Sequence, residues 1–152
     1  MLICNAGIYA DKGKALDTYT PQDWLDTMTV NVTGVFLTVQ ALLPNLRQSS
    51  SPKIAILSSK MGSTARAPGG AYAYRASKAA VTNLGRNLAA DLKSEGIAVG
   101  LYHPGWVRTE MGGAEADISV DESISGLTDR FMALDLATTG CFEAYDGTKI
   151  AY

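Results

Sequence analysis

Three short apolar runs punctuate the chain: Met1-Leu2-Ile3-Cys4, Lys53-Ile54-Ala55-Ile56-Leu57 and Ile97-Ala98-Val99-Gly100-Leu101-Tyr102. Each stops at small or polar residues, namely Asn5-Ala6-Gly7, Ser58-Ser59 and His103-Pro104-Gly105. Runs this short, without polar alternation, read as strands buried on both faces. Between them lie stretches of helical period. Apolar residues recur in steps of four and three at Trp24, Met28, Val32, Val35, Val39, Leu42 and Leu46. They follow a helix start at Thr20-Pro21-Gln22-Asp23, with Thr as N-cap, proline at the first helical position and an acid in the first turn. Val81, Leu84, Leu88 and Leu92 share a face of a second helix, read as Tyr72 to Ser94 and stopped by Gly96. A third helix is read from Asp121 to Ala133, with Ser119 as its cap, and Thr148 to Tyr152 is read as a final edge strand after the Asp146-Gly147 turn. Strands alternating with helices predict an α/β chain with a parallel sheet covered on both faces.

The 152 residues are enough for one domain, and no repeat or interdomain linker divides them. Thirteen basic and fifteen acidic side chains leave a net charge of −2, which argues against a protein that grips nucleic acid by bulk charge. Two cysteines, Cys4 and Cys141, make no disulfide framework, and one histidine, His103, makes no metal site of several imidazoles. No metal is expected, and the counts fit a soluble cytoplasmic protein. Residues 27–46 carry no charge, which is close to the length of a membrane span. Thr27, Thr29, Asn31, Thr33, Thr38, Gln40, Pro44 and Asn45 would put too many polar groups into lipid, so a helix buried on more than one side, against the sheet and a partner subunit, is the expectation.

Ligands of open α/β sheets sit beyond the carboxyl ends of the strands, where the polar groups named above collect. A further group, Tyr74 with Lys78, lies where the loop after the second strand enters its helix. Four apart, the two share a helix face. A phenol titrates near 10 and is a poor acid–base group at neutral pH unless shifted. A nearby ammonium favours the phenolate, and a serine hydroxyl can hold a substrate oxygen beside it. The combination suits proton transfer to or from an alcohol or carbonyl oxygen. A Tyr and a Lys four apart are common on helices, so the company they keep decides the reading.

That company consists of Asn5-Ala6-Gly7, Asn31-Val32-Thr33-Gly34, Leu57-Ser58-Ser59-Lys60-Met61-Gly62, Tyr74-Arg75-Ala76-Ser77-Lys78 and Pro104-Gly105-Trp106-Val107-Arg108-Thr109. In this order and spacing they resemble the motifs of the short-chain dehydrogenase/reductases. The Tyr-Arg-Ala-Ser-Lys form and the tail from Tyr145 resemble the branch with C-factor-like and sniffer-like carbonyl reductases. The resemblance implies a Rossmann-like, doubly wound parallel sheet and interconversion of a carbonyl and an alcohol with NADP or NAD. It implies catalytic roles for four residues. Tyr74 is the acid/base, Lys78 lowers its pKa and bonds the nicotinamide ribose, Ser59 orients the substrate oxygen, and Asn31 holds a water linking Lys78 to solvent. Asn5 and Gly7 would lie along the cofactor, with Val107 and Thr109 at its carboxamide end. Ser58 competes with Ser59. Tyr72 competes with Tyr74 but is followed four residues later by Ala76. Trp24 and Trp106 read as packing residues, with Trp106 bordering the pocket. Residues 65–70 and 106–119 read as pocket lining, the stretch from Met111 to Ser119 as a mobile substrate loop. The family's two long helices imply a homodimer or homotetramer.

The chain departs from the family at its start. None of its 15 glycines is separated from another by a single residue, so no Gly-rich turn occurs. Residues 1–152 therefore match the C-terminal, catalytic part of one such domain. Two βαβ units of roughly 30 residues each are expected to be missing. With them would go the pyrophosphate cradle and the residue that selects NAD or NADP, impairing cofactor binding. The sequence thus keeps a second expectation open, a truncated non-catalytic chain acting only through subunit association.

Overall fold

The computed structural model describes residues 1–152. Its order is β1 (Leu2–Cys4), α1 (Pro21–Met28), a π-helical turn (Thr29–Thr33), α2 (Gly34–Arg47), β2 (Lys53–Leu57), α3 (Tyr72–Leu92), β3 (Ala98–His103), α4 (Val120–Ala133) and β4 (Phe142–Ala144). The strands form one sheet in the order β1-β2-β3-β4, and every pairing is parallel. This is the predicted α/β, Rossmann-like arrangement, here with four strands, and β1 is an edge. Ile3 on that edge is 48% exposed.

Strand pleating divides the core between the two faces. Ile54, Ile56, Val99 and Leu101 pack with Val35 and Val39 of α2 and Val81 and Ala89 of α3. Ala55, Leu57 and Tyr102 point the other way and pack with Leu127 and Phe131 of α4. The sheet is thus doubly covered over β2 and β3, whose residues are buried apart from half-buried Lys53.

The helix ends follow the sequence signals. Thr20 and Asp23 form a reciprocal capping box before Pro21, and Lys14 Nζ sits 2.6 Å from the Asp23 carboxylate, which Lys14 and the Thr20 bonds hold down at about 2. Ser119 Oγ accepts from the Glu122 amide at 3.1 Å to open α4. Gly96, at φ 76°, closes the turn after α3 in the left-handed region.

Two expectations are corrected. The helix from Thr20 onward is not continuous: a π turn interrupts it at Asn31, whose side chain is drawn inward by bonds to Ile8 and Ser77. Its burial within the single chain is on one side. One stripe with Thr27, Asn31, Val35, Val39 and Leu46 is buried, while Trp24, Phe36, Leu37 and Leu42 remain about half exposed. By length and composition alone the unit Pro21–Arg47 could cross a membrane, but its buried stripe carries Thr27 and Asn31 toward the protein. The last strand is Phe142–Ala144, not 148–152. After the Asp146-Gly147 turn the tail folds back antiparallel, with Ala144 donating to the Thr148 carbonyl and Ile150 to that of Phe142.

One close approach ties the β2 loop to α3. An added Cβ at buried Gly62 would fall 2.5 Å from the Lys78 carbonyl carbon and 2.8 Å from the Ala79 nitrogen. Both are helix backbone and cannot give way. Gly62→Ala is therefore expected to destabilise the fold by about 2–3 kcal/mol, measured as the shift of the urea midpoint at constant m-value.

Candidate active site

The carboxyl ends of β1, β2 and β3 open into one cavity of about 890 Å³. Asn5, Gly7, Ser59, Tyr74, Lys78, Val107 and Thr109 all line it. Asn31 lies behind its wall, with Oδ1 and Lys78 Nζ each 3.4 Å from where a Cβ on Gly7 would stand. Glycine at that position keeps the backbone close to both polar groups.

Tyr74 sits in the first turn of α3, 8% exposed, with its ring stacked on Tyr9 at 4.2 Å. Lys78, one turn later, is 5% exposed. Its Nζ donates to the Leu57 carbonyl at 2.8 Å and lies 5.7 Å from the Tyr74 ring centre. An ammonium has three donors, so two remain for the cavity.

Burial pushes the Lys78 amine down to about 8. Burial is also the main influence on Tyr74 and raises its phenol, with Tyr9 and Asp11 adding to the rise and the Ser59 hydroxyl opposing it. The sequence predicts a phenol lowered by Lys78; it is raised instead, and Lys78 is not among the groups that shift it. At neutral pH the phenol keeps its proton, the form required of an acid.

The two serines separate cleanly. Ser58 Oγ lies 2.6 Å from Thr82 Oγ1 and donates to the Lys78 carbonyl, so it is consumed in holding α3 to β2. Ser59 Oγ accepts only from the Met61 amide, at 3.1 Å, which leaves its proton for the cavity. Tyr72 is outside the cavity, edge-on to Tyr19.

Asn31 is 1% exposed and its side chain is largely spent. It accepts from the Ile8 amide at 2.8 Å, and donates to the Ile8 carbonyl and to Ser77 Oγ, each at 2.9 Å. A water relay at this position would have to use the backbone carbonyls that a π turn leaves loosely bonded.

The rest of the wall combines apolar side chains with Lys12, Lys60 and His103, and is partly unforeseen. Trp106 and Met111 line it as the sequence suggested, but residues 65–70 do not. Val120, Ser123, Ile124 and Leu127 of α4 take that place. No local signal marks them, since α4 reaches the cavity only through its packing on the sheet. The segment from Trp106 to Ile118 is tied internally: Trp106 Nε1 donates to the Gly112 carbonyl, Arg108 to those of Ala116 and Asp117, and Val107 bridges Ile118. Across the opening, Lys12 Nζ donates to the Met111 carbonyl at 2.8 Å. Trp24, read as a packing residue, is 40% exposed. His103 is buried with Nδ1 unpartnered, and burial lowers it to about 4, so the ring is neutral.

A parallel sheet thus gathers serine, tyrosine and lysine at its carboxyl edge. The chain belongs to the short chain dehydrogenase family, whose model matches residues 1–118. It is 39% identical to the C-signal of Myxococcus xanthus over 153 residues, covering 100% of this chain and 92% of that protein. The NADPH-bound carbonyl reductase from chicken fatty liver superposes with a TM-score of 0.91 at 33% identity, over 99% of this chain and 65% of that one. Carbonyl reductase Sniffer of D. melanogaster gives 0.93 at 33% identity, over 97% of this chain and 64% of that one. The chain thus resembles the carbonyl reductase branch and spans just under two thirds of these solved structures. The family as a whole carries out NAD(P)-dependent interconversion of carbonyls and alcohols.

Proposed function

We propose that these residues form the catalytic part of a carbonyl reductase that reduces small apolar aldehydes or ketones with NADPH or NADH. The observation that supports it most is the convergence of Ser59, Tyr74 and Lys78 on one cavity whose outer wall is largely apolar. The donor set fits the nicotinamide riboside end of the cofactor: two free Lys78 protons, Asn5, the Gly7 backbone and Thr109 surround a cavity of sufficient size. Val107 and Thr109 would face the carboxamide. The pyrophosphate has no Gly-rich turn among these residues, so binding is expected to be weak in this chain.

A bound nicotinamide supplies the hydride for the carbonyl carbon. Ser59 donates a hydrogen bond to the substrate oxygen and holds it at the Tyr74 hydroxyl. Tyr74 gives its proton to that oxygen as negative charge develops. The Lys78 ammonium then stabilises the phenolate left behind. Reprotonation through Asn31 would draw on a water at its backbone. Trp106, Met111, Ile124 and Leu127 exclude solvent and favour an apolar substrate.

The exposed apolar side chains Trp24, Phe36, Leu37 and Leu42 support association of copies through α1 and α2 into a dimer or tetramer. The lack of a Gly-rich turn among these residues supports a second reading, a non-catalytic protein that works by association alone. Titrating NADPH and NADH into the chain, followed by calorimetry, separates the two. Saturable binding together with oxidation of NADPH by benzaldehyde is the result expected of the reductase. Absence of both at millimolar cofactor favours the second reading.

A further inference from the structure

The helix that carries Tyr74 and Lys78 has no cap of its own. The residue before it, Ala71, is left-handed at φ 49° and offers no side-chain acceptor. The first amides of α3 are nevertheless satisfied, from the distant segment between β1 and α1. Asp11 Oδ2 accepts from the Ala73 amide at 2.9 Å, across 62 residues. The Tyr74 amide donates to the same carboxylate at 3.3 Å. Tyr19 completes the arrangement, donating to Asp11 Oδ2 at 3.0 Å and accepting from the Tyr72 amide at 3.2 Å. Asp11 is fully buried and pairs with no cation.

A buried carboxylate without a counter-ion is costly unless its oxygens are bonded and a favourable field surrounds them. Two amides at a helix start, with the Tyr19 hydroxyl, supply both. The same loop reaches Tyr74 a second way, because Tyr9, two residues earlier, stacks on its ring. Asn31 clamps the loop by both polar atoms of the Ile8 backbone. The phenol is therefore held by its own backbone amide and by its ring face, both from residues 9–11.

We propose that Asp11 is a positioning residue for Tyr74: it caps α3 from outside the helix and fixes the backbone from which the phenol projects. Its charge acts on the phenol as well, favouring the protonated form that a reductase needs. The other titratable groups facing Tyr74 or lining its cavity are Tyr9, Lys12, Lys60, Lys78 and His103, and Asp11 is the one carboxylate among the groups that shift the phenol. The functional meaning rests on the reading of Tyr74 as the acid, but the test needs neither cofactor nor substrate.

The test follows the Tyr74 phenol by NMR in the full chain labelled with ¹³Cζ-tyrosine, with Tyr74→Phe assigning the signal. Asp11→Asn removes the charge and keeps one oxygen, which at the Oδ2 position accepts from both the Ala73 and Tyr74 amides. The Tyr74 phenol is expected to titrate at a lower pH in it, with slow Ala73 and Tyr74 amide exchange retained. Asp11→Ala should speed exchange of these two amides by at least about tenfold relative to Asp11→Asn. Tyr19→Phe keeps the charge and should leave the Tyr74 titration in place while loosening the Tyr72 amide. If the variants do not fold, the unaltered chain still decides. A scalar coupling across the hydrogen bond between the Ala73 amide nitrogen and Asp11 Cγ is expected, and its absence overturns the cap. An unchanged Tyr74 titration in folded Asp11→Asn overturns the electrostatic part.

Discussion

Replacing Tyr74 by phenylalanine is expected to lower kcat for carbonyl reduction by about 10²- to 10⁴-fold, the usual worth of a positioned proton donor. The ring is retained, so its stacking on Tyr9 and the capping of α3 survive and the fold should be unaffected. Cofactor affinity should change little, because Lys78 and the β1 loop still line the site. Loss of turnover with unchanged unfolding midpoint and unchanged NADPH binding assigns the loss to the missing hydroxyl. A variant that turns over at the unaltered rate removes Tyr74 from the mechanism. The raised phenol gives the reaction a direction. With the proton held at neutral pH, reduction is favoured, and the reverse oxidation should gain rate only as pH climbs through the alkaline range.

Lys78→Met carries two effects of opposite sign. Activity should fall severely, since the charge that stabilises the Tyr74 phenolate is gone. Stability at neutral pH should rise. The amine drops from its ordinary 10.5 to about 8 on folding. At about 1.4 kcal/mol per pH unit, keeping it charged in the folded state costs about 3 kcal/mol. The unfolded chain binds this proton more tightly than the folded one. The penalty is therefore fully present below pH 8 and shrinks as pH rises from 8 toward 10.5. The stabilisation in Lys78→Met should follow the same course, large at pH 7 and absent near 10.5, less the lost bond to the Leu57 carbonyl. Urea unfolding at a series of pH values checks it. A Lys78→Met chain less stable than the parent at pH 7 would show that the buried ammonium is paired better than its surroundings indicate. Such a trade of stability for function is common where a charged group is held in a dry site.

Much of this arrangement was legible in the residues. The strands β1, β2 and β3, the start of α3 at Tyr72 and the cap at Ser119 follow from apolar runs, spacing and cap chemistry, all local. The polar groups at the strand ends were legible for the same reason, because a parallel sheet delivers them to one edge. What escaped depends on distance along the chain. Asp11 lies in a stretch with no periodicity, and its partners are sixty residues away. The π turn at Asn31 leaves the apolar spacing of its helix unbroken. The α4 side chains in the cavity wall are read as one more amphipathic face until the sheet shows where that face lands. β4 is three residues, too few to display alternation, and the five residues after its turn have the stronger strand composition.

Under the proposed function, this cavity reduces carbonyls with a proton from Tyr74. The most direct test is isotope transfer in the full chain. NADPH deuterated at one or the other face of C4 is incubated with a mixture of small apolar aldehydes and ketones, and the alcohols are analysed by mass spectrometry. Deuterium is expected in the alcohol from one face only, and none with Tyr74→Phe. Deuterium from neither face, or equal transfer by Tyr74→Phe, would contradict it.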